Sequence, residues 1–394
     1  MNTRRLLVKL LFLACACPAI AQNTSWVGTW ASASEWAGGN DLPKTSLANR
    51  TIRQVIRTSI AGNTFRMKLS NEFSEVPVEI RQIYLSLVDD SSAIQKNTSV
   101  VLRVKGKHSF TIEKGKALYT DAFKMNIPKL SRVAVTICYG NQVPKHMTSH
   151  RGSRTTSYIA QGMVSPKQTF KTEEKLDHWY TMATLETKSD KQDAIAILGN
   201  SITDGRGTTT NAQNRWPDRM AEALNGETGV LNLGIGGNCV VEYGISEPAL
   251  KRFDRDILSQ QGISSVVIFE GTNDIGISNK NYEHVADTLI ASYRVLASRA
   301  KAKGLKVYGA TITPTKGNGW YSLWHEAIRQ TVNAWIRQTD VFDGVIDFDK
   351  AVRDPKDEQQ LLPAYSEDGL HLNPEGYSVM GELAASFFKN LKNK

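Results

Sequence analysis

Four short polar clusters in this chain hold the residue types needed to make and stabilise an alkoxide attack. Gly199-Asn200-Ser201 follows an apolar run at 194–198 and leaves a serine hydroxyl at its end. A serine hydroxyl becomes nucleophilic only beside a base, and an imidazole base needs a partner to fix its tautomer and orientation. Asp368 and His371, three residues apart between Ser366 and Pro374, can supply that pair. Gly234-Ile235-Gly236-Gly237-Asn238 offers backbone that a ligand can approach closely, so the Gly237 N–H joins the Ser201 N–H as an oxyanion donor. Glu270-Gly271-Thr272-Asn273-Asp274 adds the Asn273 amide, a donor that carries no charge and does not compete as a base. Each cluster alone reads as ordinary structure, because serine, aspartate and asparagine are common turn and cap residues. The chemistry depends on their meeting.

Meeting requires a fold that brings four turns to one edge. From residue 192 onward, apolar runs at 194–198, 230–233, 265–269, 306–312 and 344–348 read as strands buried on both faces. Helical segments at 215–225, 247–258, 282–303, 322–338 and 374–390 fill the gaps. Val285, Leu289, Tyr293 and Leu296 repeat at helical spacing within the third of these. Alternation of strand and helix predicts a three-layer α/β/α doubly wound parallel sheet, whose ligands bind at the carboxyl ends of the strands. Asn373-Pro374 caps and opens the last helix and so fixes the exit of the Asp368–His371 loop. The glycine-rich turn after the second strand does not match Gly-x-Gly-x-x-Gly, and no phosphate-cradling lysine follows Ser201.

Residues 23 to about 185 have a different texture. Short alternating runs at 51–60, 64–69, 78–88, 99–104, 110–112 and 132–139 are separated by turn material, which predicts an all-β sandwich. Trp26, Trp30 and Trp36 stand ahead of these runs and read as packing residues in preference to a sugar-stacking platform. Thr187-Lys188-Ser189-Asp190-Lys191 marks the boundary. The expected organisation is a leader at 1–22, a β-sandwich accessory domain at 23–188 and the α/β/α domain at 189–394.

The leader reading rests on Arg4, Arg5 and Lys9, the mostly apolar 10–17 segment and the small-x-small Ala19-Ile20-Ala21. Arg4-Arg5 loosely resembles a twin-arginine signal, and Cys15 and Cys17 lack a clean lipobox, so a lipoprotein is the lesser alternative. The expected location is outside the cytoplasm, periplasmic or extracellular. No run is long enough for a convincing membrane span. The chain of 394 residues has a formal charge of +9, which falls to about +6 without the leader, and its basic residues are dispersed. That excludes a nucleic-acid-binding stripe. Cys138 and Cys239 remain, read as buried free thiols with a bridge left open, and no metal-type Cys/His spacing occurs.

Taken in order and spacing, Gly199-Asn200-Ser201-Ile202, Gly237, Gly271-Thr272-Asn273-Asp274 and Asp368-Gly369-Leu370-His371 resemble the blocks of the SGNH/GDSL hydrolases over about residues 192–392. The resemblance implies a flavodoxin-like fold, a serine esterase, and the roles of nucleophile for Ser201, base for His371, orienting carboxylate for Asp368 and oxyanion hole for Ser201, Gly237 and Asn273. Trp26-Val27-Gly28-Thr29-Trp30-Ala31, Arg53-Gln54-Val55-Ile56-Arg57-Thr58, Leu69-Ser70-Asn71-Glu72-Phe73 and Trp335-Ile336-Arg337 resemble exported bacterial members with an N-terminal β-domain. Asn200 departs from the family's Asp, which predicts tuning and not loss. Asp-x-x-His also differs from an α/β-hydrolase, whose nucleophile lies in Gly-x-Ser-x-Gly. Asp204, Asp274 and Arg215 are expected to support the site without reacting, and Trp320-Tyr321 to wall an acyl or sugar pocket. His325 has no loop carboxylate like Asp368. No metal or organic cofactor is implied. The expected substrates are acetyl or short-chain esters on carbohydrate, ahead of lipid or lysophospholipid esters. The rival from another class is a carbohydrate-binding protein with a degenerate hydrolase domain.

Overall fold

A computed structural model describes residues 25–190, 193–279 and 282–392; the expected leader at 1–22 lies outside them. The N-terminal half forms two large antiparallel sheets. One has the order Ser25–Ala31, Met182–Ser189, Gly62–Ser70, Ala117–Tyr119, with Phe123–Ile127 also paired to Gly62–Ser70. The other runs Glu174–Leu176, Ser157–Gln161, Arg50–Arg57, Arg132–Tyr139, Val78–Leu87, Val100–Val101, with Phe110–Ile112 added to Val78–Leu87. Period-two alternation explains the stacking. Val133, Val135, Ile137 and Tyr139 point into a core shared with Phe65, Met67 and Leu69, while Thr136 on the opposite face bonds Arg53. A small third sheet joins Trp179–Tyr180, Met147–His150 and Glu35–Ala37. The tryptophans do not precede the sandwich, as the sequence reading had it. Trp26 and Trp30 lie within its first strand, where Trp30 is buried against Trp179, and Trp36 is 48 % exposed beside His146.

The C-terminal half is a parallel sheet in the order Gly229–Gly234, Ala194–Gly199, Ile263–Phe269, Lys306–Ala310, Gly344–Ile346, a doubly wound α/β/α arrangement. Ala194, Ala196 and Leu198 face one core and Ile195 and Ile197 the other, so the continuous apolar run is what a strand covered on both sides requires. Among the described residues, the α-helices are α1 (Ser201–Asp204), α2 (Trp216–Ala223), α3 (Ala249–Phe253), α4 (Thr272–Gly276), α5 (Tyr282–Lys301), α6 (Leu323–Gln338), α7 (Phe348–Val352) and α8 (Pro374–Lys392). α3, α5 and α6 cover the first face, and α2, α7 and α8 the second. The expected helix at 247–258 begins only after Pro248 and loosens into a π-helical turn at Asp254–Leu258. The fifth strand ends at Ile346 because Asp347 caps α7, accepting from the Lys350 N–H at 3.2 Å. Among the described residues, no helix is long and apolar enough to cross a membrane. Cys138 and Cys239 are buried and unbridged.

The two halves share packing. Val27, Ala31 and Ala33 from the N-terminal strand and its exit enter the core beneath Leu231 and Leu233. Gly28 has no room for a side chain, since a Cβ there would lie 2.8 Å from Leu231 Cδ1, and its N–H donates to the Gln261 carbonyl at 3.0 Å. Arg57 pairs with Glu222 of α2 at 2.7 Å.

Candidate active site

Strand Ala194–Gly199 lies between Gly229–Gly234 and Ile263–Phe269, where successive connections leave toward opposite faces and the strand ends open a crevice. The chain turns there through Asn200, whose Oδ1 accepts from the Ile202 N–H at 3.0 Å and starts the single turn α1. Ser201 is therefore the first residue of a helix and is 9 % exposed.

Its Oγ is 3.0 Å from His371 Nε2. On the other side of the ring, Nδ1–H donates to Asp368 Oδ2 at 2.7 Å. With Nδ1 committed as donor, Nε2 is left to accept from the serine hydroxyl. Asp368 is itself held by its own loop, because Oδ1 accepts from the N–H groups of Leu370 at 2.9 Å and His371 at 2.7 Å. Gly369, at φ +71, supplies the left-handed turn that folds those amides back. Asn318 ties the Asp368 carbonyl from a second loop at 2.8 Å. Burial would raise the Asp368 carboxyl, but the His371 bond and the two amides hold it below the ordinary aspartate range. His371 sits below the usual histidine value, first because it is buried; Asp368 pulls it up, and the nearby Arg206 and Arg154 push it down.

Opposite the imidazole, Gly236 and Gly237 line the cleft together with Asn273. Gly237 adopts φ +69, and a side chain there would strike Ile245. Asn273, 4 % exposed, donates one Nδ2 hydrogen to the Asn238 carbonyl at 2.7 Å. That bond aims the amide and leaves its second hydrogen for a ligand. Asn238 is fixed in turn by Arg252, a fully buried guanidinium that donates Nε to Asn238 Oδ1 at 2.9 Å, Nη1 to the Leu233 carbonyl at 2.8 Å and Nη2 to the Gly199 carbonyl at 3.1 Å. Arg252 lies 3.5 Å from Glu270. Burial lifts the Glu270 carboxyl well above its ordinary value, against the pull of Arg252. Asp274 accepts from the N–H groups of Val240 and Val241 and is pushed up to about 6, chiefly by burial.

These groups border an open cleft of about 580 Å³, within the range of ordinary ligand sites. Of the sequence-derived candidates, Ser201, His371, Asp368, Gly237, Asn273, Asp204 and Trp320 line it. Trp320 packs flat over Gly276, where a Cβ would lie 1.8 Å from its Cε3. Asn200 and Asp274 stand behind the cleft as supports. Tyr321, expected in the wall, is not among the lining residues; its hydroxyl is bonded to Gln359. His325 bridges the Trp320 and Ser278 carbonyls at 2.6 and 2.9 Å, apart from the serine.

The remaining wall was not foreseen. Glu35, Asp41, Arg151, Arg154 and His178 come from the β-sandwich half, and Arg206 and Asn318 from loops of the other half. The run His150-Arg151-Gly152-Ser153-Arg154, which breaks the apolar alternation, was the available signal.

Residues 197–379 match the GDSL-like lipase/acylhydrolase family. Similar solved structures include a GDSL-like lipase from Bacteroides thetaiotaomicron, 23% identical over 52% of this chain and 91% of that one with a TM-score of 0.40. A family two carbohydrate esterase from Clostridium thermocellum is 13% identical over 91% of this chain and 99% of that one, with a TM-score of 0.40. A carbohydrate acetylesterase from Sinorhizobium meliloti is 16% identical over 50% of this chain and 99% of that one, with a TM-score of 0.37. No curated protein matches the chain.

Proposed function

We propose that the chain, whose residues 197–379 match the GDSL-like lipase/acylhydrolase family, is a serine ester hydrolase with Ser201, His371 and Asp368 as its catalytic relay. The observation that carries this reading is the continuous chain of contacts from Ser201 Oγ to His371 Nε2 at 3.0 Å and from His371 Nδ1 to Asp368 at 2.7 Å. His371 takes the hydroxyl proton as Ser201 Oγ bonds to the ester carbonyl carbon. The carbonyl oxygen, now an anion, is received by the N–H groups of Ser201 and Gly237 and by the free Asn273 Nδ2 hydrogen. Collapse breaks the C–O bond, and the imidazolium returns its proton to the departing alcohol. Water then repeats the sequence on the acyl-enzyme, giving carboxylic acid and free serine.

The substrates proposed are acetyl or other short-chain esters on a carbohydrate, acted on outside the cytoplasm after removal of a leader at 1–22. Support comes from the character of the wall. Glu35, Asp41, Arg151, Arg154, His178 and Arg206 present charged and hydrogen-bonding groups around the serine. They suit a hydroxylated alcohol moiety and offer little to a long acyl chain.

The test compares wild type with Ser201→Ala on p-nitrophenyl acetate, then measures acetate released from acetylated xylan against fatty acid released from lysophospholipid. Loss of activity in Ser201→Ala with acetate as the main product is expected. Equal rates for the two proteins would refute the relay, and a preference for lysophospholipid would refute the substrate class.

A further inference from the structure

We infer that His150, carried by the β-sandwich half, is a positioning residue for the nucleophile, acting through Asp204 as a permanently charged brace. The inference rests on the reading of Ser201 as nucleophile.

The helix that presents Ser201 is one turn long, Ser201–Asp204. A single turn has too few internal bonds to hold its own geometry, so its two ends must be anchored from outside. Asn200 anchors the start. Asp204 anchors the end, and both of its carboxylate oxygens are taken by the other half of the molecule. Oδ1 is 2.9 Å from His150 Nε2, and Oδ2 accepts from Arg154 Nη2 at 2.7 Å. Gly152 lies so near this carboxylate that a Cβ would be 2.0 Å from Oδ2. The 150–154 turn therefore wraps the end of the nucleophile helix.

The protonation state of His150 follows from its partners. Nδ1 faces the Ala33 carbonyl oxygen at 3.0 Å and Nε2 faces the Asp204 carboxylate. Neither partner can donate once the carboxylate is ionised, so both ring nitrogens must, and a ring that donates twice is an imidazolium. His371 is the opposite case, since its Nε2 faces a hydroxyl that can donate to it. Burial alone would discharge His150, but the Asp204 bond and charge, with Glu35 3.6 Å away, outweigh it and raise its pKa. Burial likewise opposes the Asp204 charge, and Arg154, His150 and Arg215 overcome it, holding that pKa low.

Glu35, Asp41 and Asp204 face His150, Arg151 and Arg154, with Arg151 bound to Glu35 at 2.6 Å and Asp41 at 3.4 Å, while Arg215, which also acts on Asp204, has Asp218 at 3.7 Å. His178, lowered by burial and by its cationic neighbours, completes the group. Trp179 stacks on the His150 ring at 5.7 Å and fixes its plane.

The test has two arms. In wild type with ¹⁵N-labelled histidine, both His150 ring nitrogens are expected to be protonated at neutral pH and to stay so above the pH at which His371 loses its proton. A His150 with one bare nitrogen at neutral pH would overturn the proposal. In His150→Gln and in Asp204→Asn, kcat on p-nitrophenyl acetate is expected to fall roughly tenfold to a hundredfold with KM within about twofold, because displacement of a nucleophile costs rate more than binding. A kcat within about twofold of wild type in both folded variants would also overturn it. Activity surviving in Ser201→Ala would remove the nucleophile that the brace serves, and that failure reads separately from either His150 result.

Discussion

Truncating Asn273 to alanine separates the proposed oxyanion hole from the fold that holds it. The side chain is 4 % exposed, and one of its two amide hydrogens is already spent on the Asn238 carbonyl at 2.7 Å. Alanine removes two things at once. The transition state loses one donor of three, worth about 2.7–4 kcal/mol, or 10²–10³ in kcat. The native state loses the donor to a buried carbonyl, worth about 1–3 kcal/mol of stability. The two losses are read by different measurements. Stopped-flow and steady-state hydrolysis of p-nitrophenyl acetate report the first, and thermal unfolding reports the second. Asn273→Asp sharpens the comparison, because it keeps the volume but sets a negative charge where the oxyanion forms, so its kcat is expected to fall at least as far. The reasoning is refuted if Asn273→Ala stays within about threefold of wild-type kcat. It is equally refuted if the lost activity matches the unfolded fraction at the assay temperature.

Two further perturbations probe the relay and its support. The base works as neutral imidazole, so kcat/KM rises with pH as His371 loses its proton; with that pKa lowered by burial and by Arg206 and Arg154, the midpoint is expected below the ordinary histidine value of about 6.5. Replacing Arg206 by glutamine removes one of those cations and is expected to move the midpoint up; a pH–rate profile with an unmoved or higher-than-ordinary wild-type midpoint would contradict the account. Asn200→Asp keeps the oxygen that caps Ile202 but replaces an amide lying beside the buried Glu270 carboxyl, with which it makes no well-formed hydrogen bond. A carboxylate in that desolvated place has its pKa raised in the folded state, so stability is lost as pH rises through and above the ordinary carboxylate range. Unfolding temperatures equal to wild type at both pH 5 and pH 8 would count against this, as would a kcat loss beyond about tenfold.

The α/β/α half was legible because its signals are local. A five-residue apolar run such as 194–198 has one comfortable place, a strand covered on both faces, and Ala194–Gly199 occupies it. The turn after it, the Asn273 turn and the Asp368–His371 loop each carry their geometry within a few residues, so their chemistry could be read before their meeting was seen. The sandwich was legible only in outline. The strands at 117–119, 123–127, 147–150, 157–161 and 174–176 escaped notice because each is only three to five residues long, and so short a strand is set by its neighbours more than by its own sequence.

What remained hidden was the contribution of one half to the chemistry of the other. Glu35, His150, Arg151 and Arg154 are scattered over more than a hundred positions, and in sequence each is an ordinary polar residue in a β-rich region. They become intelligible only as a set. A carboxylate such as Asp204, 2 % exposed, can stay ionised only if cations are brought to it. The α1 turn has none within reach of its own residues, so the compensating charge must arrive from elsewhere in the chain. His150 and Arg154 bring it, and Glu35 and Asp41 balance the excess that follows. The same reasoning makes the β-sandwich half part of the cleft in the structural sense, since its charged turn both walls the space beside Ser201 and anchors the helix that presents it. Removing that half would take His150 and Arg154 from Asp204 and leave Arg215 alone of the cations that hold it ionised, and the single turn bearing Ser201 would lose the anchor at its far end.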